Sequence, residues 1–82
     1  MRVSIIKSDG AVCVDGICII NLDLSWLPEN FHALQWYGDF GNLETVDGTP
    51  PRPQNTNIDS FAPYQRAVDM WQQAKADSEA GL

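Results

Sequence analysis

One histidine, two cysteines and eleven acidic residues are the groups in this 82-residue chain from which chemistry could be built. His32 is the side chain that most hydrolases, transferases and metal sites would recruit. It heads an alternating run, no cysteine or second histidine lies at ligand spacing, and Asp23 and Ser25 belong to a connector without a nucleophile-elbow pattern. The expectation is a strand-edge histidine bonded to backbone or water. Asp9, Asp15 and Asp47 each precede a glycine and Asp39 stands two residues before Gly41, which is what tight turns require. The Asp15-Gly16 neighbourhood lacks the alternating oxygen ligands and closing glutamate of a calcium loop. Gly38 and Gly41 join two extended runs instead of opening a helix, so they make no phosphate cradle. No catalytic, cofactor-binding or metal-binding residue is expected, and the chain reads as a non-enzyme.

The cysteines depend on the hairpin that carries them. Ala11 to Val14 and Ile17 to Ile20 are separated only by Asp15-Gly16, the dipeptide suited to a two-residue type I′ turn because both positions need positive φ. Counting outward, Val14 pairs with Ile17 and Cys13 falls opposite Cys18 at the closer, non-hydrogen-bonded position. A cross-strand disulfide is therefore geometrically conceivable. A protein folded in a reducing cytoplasm keeps such thiols reduced as small apolar packing residues, and that compartment argument favours packing.

The elements that must position these groups are short. Arg2 to Lys7 reads as a strand ended by the Ser8-Asp9-Gly10 turn. Past Asn21, Ser25 offers an N-cap and Pro28 a first-turn proline, so one helical turn is expected there. His32 to Gly38 alternates, with His32, Leu34 and Trp36 facing one way and Ala33, Gln35 and Tyr37 the other. A four-residue Gly38–Gly41 loop then turns the chain into Leu43 to Val46 and sets Trp36 opposite Leu43. Residues 49–57 are proline-rich and read as an extended, surface-running connector within the domain. From Ser60, a possible cap, the period becomes helical: Phe61, Tyr64, Val68, Trp71 and Ala74 form one apolar stripe, with a frayed tail over 78–82. The stripe is expected to pack on Leu34, Trp36 and Leu43.

The sum is one small α+β domain spanning 1–82, an antiparallel meander of about five strands, open or curled, with a C-terminal amphipathic helix. Both faces of the first hairpin are apolar: Val12, Val14, Ile17 and Ile19 on one, Ala11, Cys13, Cys18 and Ile20 on the other. A single helix does not cover both, so the sheet either curls or offers its second face to another chain. The net charge of −6, with Arg2, Lys7, Arg52, Arg66 and Lys75 scattered, argues against direct nucleic-acid binding. Met1 to Gly10 reads as strand and turn and not as a leader, no apolar run approaches bilayer length, and a soluble protein without membrane contact is expected.

Three runs, Val3–Gly10, Val12–Gly16 and above all Leu27–Gly38 (LPENFHALQWYG), resemble small uncharacterised proteins of tailed bacteriophages whose genes lie near those for tail and tail-fibre components. Tyr64-Gln65 before Trp71 in the C-terminal helix is a further point of similarity, and the proline-rich stretch is where the likeness fades. The resemblance implies a structural or assembly protein of the virion tail, made in the host cytoplasm, without a cofactor and able to act as an oligomer. It would bind a tail, baseplate or tail-fibre protein, and it transfers no catalytic residue. An acidic inhibitor of a host or defence protein is the alternative. The expected binding surface is the sheet, where Gln35, Tyr37, Asn42 and Glu44 share a polar-aromatic face and Phe40 projects from a loop tip.

Overall fold

The computed structural model describes residues 1–48, 50 and 52–80. Six strands form one antiparallel sheet: β1 (Val3–Ile6), β2 (Ala11–Val14), β3 (Ile17–Ile19), β4 (Phe31–Trp36), β5 (Gly41–Asp47) and β6 (Arg52–Ile58). A short 3₁₀ turn, Ala62–Tyr64, leads into α1 (Gln65–Ala80). Among the described residues the sheet is open, in the order β3-β2-β1-β4-β5-β6. It is therefore two three-stranded meanders joined where β1 pairs with β4, not the simple meander expected.

The first hairpin forms as its turn dipeptide requires. Asp15 and Gly16 have φ of 49° and 88°, and Cys13 lies opposite Cys18. After β3 the chain runs back beside the sheet to reach β4, and Gly10 marks the crossing. Leu22 donates its N–H to the Gly10 carbonyl at 2.9 Å, and a Cβ on Gly10 would stand 2.5 Å from the Leu22 carbonyl oxygen. The expected helical turn near Ser25 is instead a pair of β-turns, closed by Leu27 N–H to Leu24 O and Phe31 N–H to Pro28 O. Asp23, not Ser25, supplies the local cap, accepting the Ser25 N–H at 3.1 Å. The Ser25 hydroxyl and then its backbone N–H hold the Asp23 carboxyl below its ordinary pKa, with Arg66 adding to the effect.

Three further expectations are corrected. The β4–β5 loop is a two-residue Gly38-Asp39 turn, closed by Tyr37 N–H to Phe40 O at 2.8 Å, so Trp36 faces Gly41 and Leu34 faces Leu43. A bulge between Phe31 and Ala33 gives Phe31 the buried position and leaves His32 exposed, its carbonyl accepting the Lys7 N–H. The proline-rich stretch is mostly β6, paired with β5 from Arg52 to Ile58. Val46 donates its N–H towards β4, to Asn30 O, so the backbone groups of its β6 neighbour Pro53 point away from β5 by strand alternation. A proline there removes no ladder bond. Thr49 and Pro51 lie outside the described residues.

The core lies on one side of the sheet. Val3, Ile5, Val12, Leu34 and Trp36 are buried there, joined by Leu24 and Leu27 from the connector and by Phe61, Ala67, Val68 and Trp71. The helix stripe forms, and Phe61 packs on Trp36 with ring centroids 5.4 Å apart while Tyr64 meets Phe31 at 5.8 Å. Helix α1 itself lies against β2 and β3 instead of β4 and β5, and the Trp71 indole N–H donates to the Ile17 carbonyl at 2.9 Å. Trp26 closes the connector side, donating to Met70 Sδ and covered by the Arg66 guanidinium. Ser60 accepts the Ala62 N–H at 3.4 Å, a weak cap. The expected fray at 78–82 is helix to Ala80, with Gly81 and Leu82 outside the described residues.

Candidate functional site

Strand alternation sends every second residue of all six strands to the face opposite α1, and the register sorts them into rows. The middle row runs Cys18, Cys13, Ser4, Gln35, Asn42, Asn57. Cys13 and Cys18 are joined by a disulfide, which overturns the expectation of free packing thiols; Cys18 is exposed. Ser4 donates its hydroxyl to Gln35 Oε1 at 2.6 Å, so this candidate binding residue is half-buried and already engaged. A second row carries Ala11, Ile6, Ala33, Glu44 and Asn55, turning from apolar to polar across the sheet. Glu44 is half-buried within it.

The third row holds the aromatic residues singled out above. Tyr37 and Phe40 face each other across the turn with ring centroids 5.1 Å apart, yet remain 40% and 53% exposed. Phe40 thus packs on its own hairpin and still presents more than half of its surface. The Arg2 guanidinium lies 5.2 Å from the Tyr37 centroid, and Arg2 is held in turn by Asp15, whose carboxylate accepts the Arg2 N–H. Met1, also exposed, passes close to Gly38. An open depression lined by Arg2, Ser4, Cys13, Asp15, Gly16 and Cys18 adjoins this row.

Chemically the face offers aromatic and aliphatic surface with a fixed cation at its edge. Such a mixture suits contact with another protein, since exposed aromatics bury much area with few rotatable bonds and tyrosine and arginine are enriched at the hot spots of interfaces. Arg2, Asp15 and Glu44 bring charge to the three rows, and the β5–β6 register carries on to Asp59 opposite Phe40. Gln35, Tyr37 and Glu44 share one face as expected, and Phe40 joins them. Arg2 and Met1 were missed. Nothing local signals them, because their proximity to Tyr37 follows from the β1–β4 pairing alone.

Among the described residues no three His, Cys, Asp or Glu side chains gather closely enough to hold a metal ion. No helix among them is long and apolar enough to cross a membrane. No protein-family model, curated protein or solved structure matches the chain.

Proposed function

We propose that this chain is a non-enzymatic structural or assembly protein of a bacteriophage tail that binds another tail or tail-fibre protein through the sheet face opposite α1. One observation supports this reading above the others. The core is complete on the helix side, while the opposite face keeps Tyr37 and Phe40 stacked on each other, braced by Arg2 and exposed. An aromatic pair that the fold does not bury is the kind of anchor that protein interfaces use. The tail setting comes from the resemblance of Leu27–Gly38 and its companions to small tailed-phage proteins, which supports a tail or tail-fibre protein as the partner.

The test is to replace both aromatics, Tyr37→Ser with Phe40→Ser, in the phage that carries the gene. Both side chains lie outside the core, so the purified double variant keeps the wild-type far-UV circular dichroism and melts within a few degrees of it. Mass spectrometry of purified virions then shows stoichiometric wild-type protein and loss of the variant. Normal incorporation of the folded double variant removes this face as the binding site, and absence of the wild-type chain from virions and tail intermediates removes the tail assignment.

A further inference from the structure

Strand β6 ends the sheet on one side, and its outer edge meets no other strand among the described residues. It is seven residues long, against three for β3 at the opposite edge, and Arg52 to Asn57 are exposed. Long bare edges are usually guarded by lysines, prolines or inward charges because they invite pairing with another chain. Here residues 53–58 carry no charge, and the two guards, Arg52 and Pro53, both stand at the beginning of the strand.

We infer that two copies of this chain pair edge to edge through β6, antiparallel about a two-fold axis at Thr56, so that their two sheets become one continuous sheet. Three observations point to a second copy as the occupant. The central residues read Asn55-Thr56-Asn57, the same in both directions, so a two-fold at Thr56 sets Asn against Asn and Thr against Thr. Side-chain amides are self-complementary because each is both donor and acceptor, and Thr–Thr cross-strand pairs are favourable. Charge comes next: copies of net charge −6 repel, and the uncharged 53–58 segment lets the strands meet without placing like charges opposite each other.

Backbone direction supplies the third. Alternation from Val46 and Pro53 turns the N–H and C=O groups of Asn55 and Asn57 outward, while those of Thr56 point to Leu43 of β5. In the two-fold pair, Asn55 of each copy donates to the Asn57 carbonyl of the other and Asn57 donates to the Asn55 carbonyl. The missing Pro53 donor falls outside this set. Thr56 meets its counterpart as a non-hydrogen-bonded pair, with Cα atoms about 4.5 Å apart.

Asn55 and Asn57 share the sheet face with Tyr37 and Phe40, but the pairing uses the outward backbone groups of β6 and neither aromatic, so the test does not depend on the tail proposal. Sedimentation of the purified chain across a concentration series shows twice the chain mass. Asn57→Pro removes an outward donor without touching the β5 ladder, and gives a folded monomer. Thr56→Cys forms an inter-chain disulfide under mild oxidation, since its expected Cα separation lies in the range such bonds adopt. Gln54→Cys, which this register separates from its own counterpart, does not. The Tyr37→Ser, Phe40→Ser variant remains dimeric. A wild-type chain that stays monomeric at all concentrations overturns the inference, as does a folded Asn57→Pro variant that still dimerises or equal cross-linking by Gln54→Cys and Thr56→Cys.

Discussion

Replacing Trp71 in two steps separates its hydrogen bond from its bulk. The side chain is only 9% exposed, and its indole N–H reaches the carbonyl of Ile17 on the edge strand β3. Trp71→Phe keeps an aromatic ring in the same place and removes the donor. Ile17 is itself exposed, so water can reach the freed carbonyl, and the loss is that of one ordinary hydrogen bond, about 1 kcal/mol. The smaller ring forfeits roughly another 1 kcal/mol of apolar burial. A deficit of about 2 kcal/mol lowers the melting temperature by roughly 8–16 °C in a domain of this size. Trp71→Ala leaves a cavity between α1 and the β2–β3 hairpin and costs about 3–5 kcal/mol. Total stability for 82 residues is about 4–12 kcal/mol, so the alanine variant is largely unfolded on warming or at low urea. Urea titration followed by near-UV circular dichroism measures both steps. If Trp71→Phe matches the wild type and Trp71→Ala loses less than about 1 kcal/mol, α1 is not docked through this residue.

Two further outcomes follow from local geometry. Denatured but unreduced protein gives no free thiol in an Ellman titration, and reduction lowers stability by about 2 kcal/mol, the loop-entropy value for so short a closure; two titrated thiols per chain would contradict the Cys13–Cys18 bond. Gly10→Ala forces a side chain into φ of 59° and into the Leu22 carbonyl, and costs about 2–3 kcal/mol. Gly16→Ala, at φ of 88° with open space around it, costs about 1 kcal/mol. Equal melting temperatures for the two glycine variants would show that the connector does not cross Gly10 as described.

The parts of the fold legible in the sequence are those decided by neighbouring residues. Asp15-Gly16 between two apolar runs fixes a hairpin, its register and the opposition of Cys13 and Cys18 in one step, because turn chemistry and alternation agree, whereas the bond between them runs against the compartment argument. The helical stripe from Phe61 to Trp71 is legible for the same reason, but its resting place is not. It lies over β2 and β3 because the chain crosses back at Gly10 to lay β4 beside β1, a choice that no short window contains. The Gly38–Gly41 segment holds two glycines, either of which could set the turn, and the shorter loop shifts the register so that Trp36 meets Gly41. Residues 49–57 read as a connector because prolines cannot donate to a ladder and asparagine is a poor strand former. Pro53 is tolerated since its nitrogen faces outward at an edge, a fact available only once β6 has been placed. At the site, Tyr37 and Phe40 were visible as neighbours across a turn, whereas Arg2 over Tyr37 depends on the same long-range pairing as the rest of the sheet.

The joining of two meanders at β1 and β4 also sorts the strands by what they bury. Val3 and Ile5 of β1, Val12 and Val14 of β2, and Phe31, Leu34 and Trp36 of β4 carry the core, and the helix and connector close over them. Strands β5 and β6 have little share in it: Leu43 and Ile58 are partly buried, while Arg52 to Asn57 face solvent. A two-stranded ribbon in water is marginal by itself, so β6 owes its place to backbone pairing with β5 and to the rigid strands beyond it. Core packing therefore exerts little selection on residues 52–57, and a strand free of that demand can be shaped for whatever lies beside it. An uncharged edge centred on Asn55-Thr56-Asn57 is better explained by a matching strand than by solvent, which would favour the charged guards that are absent from 53–58.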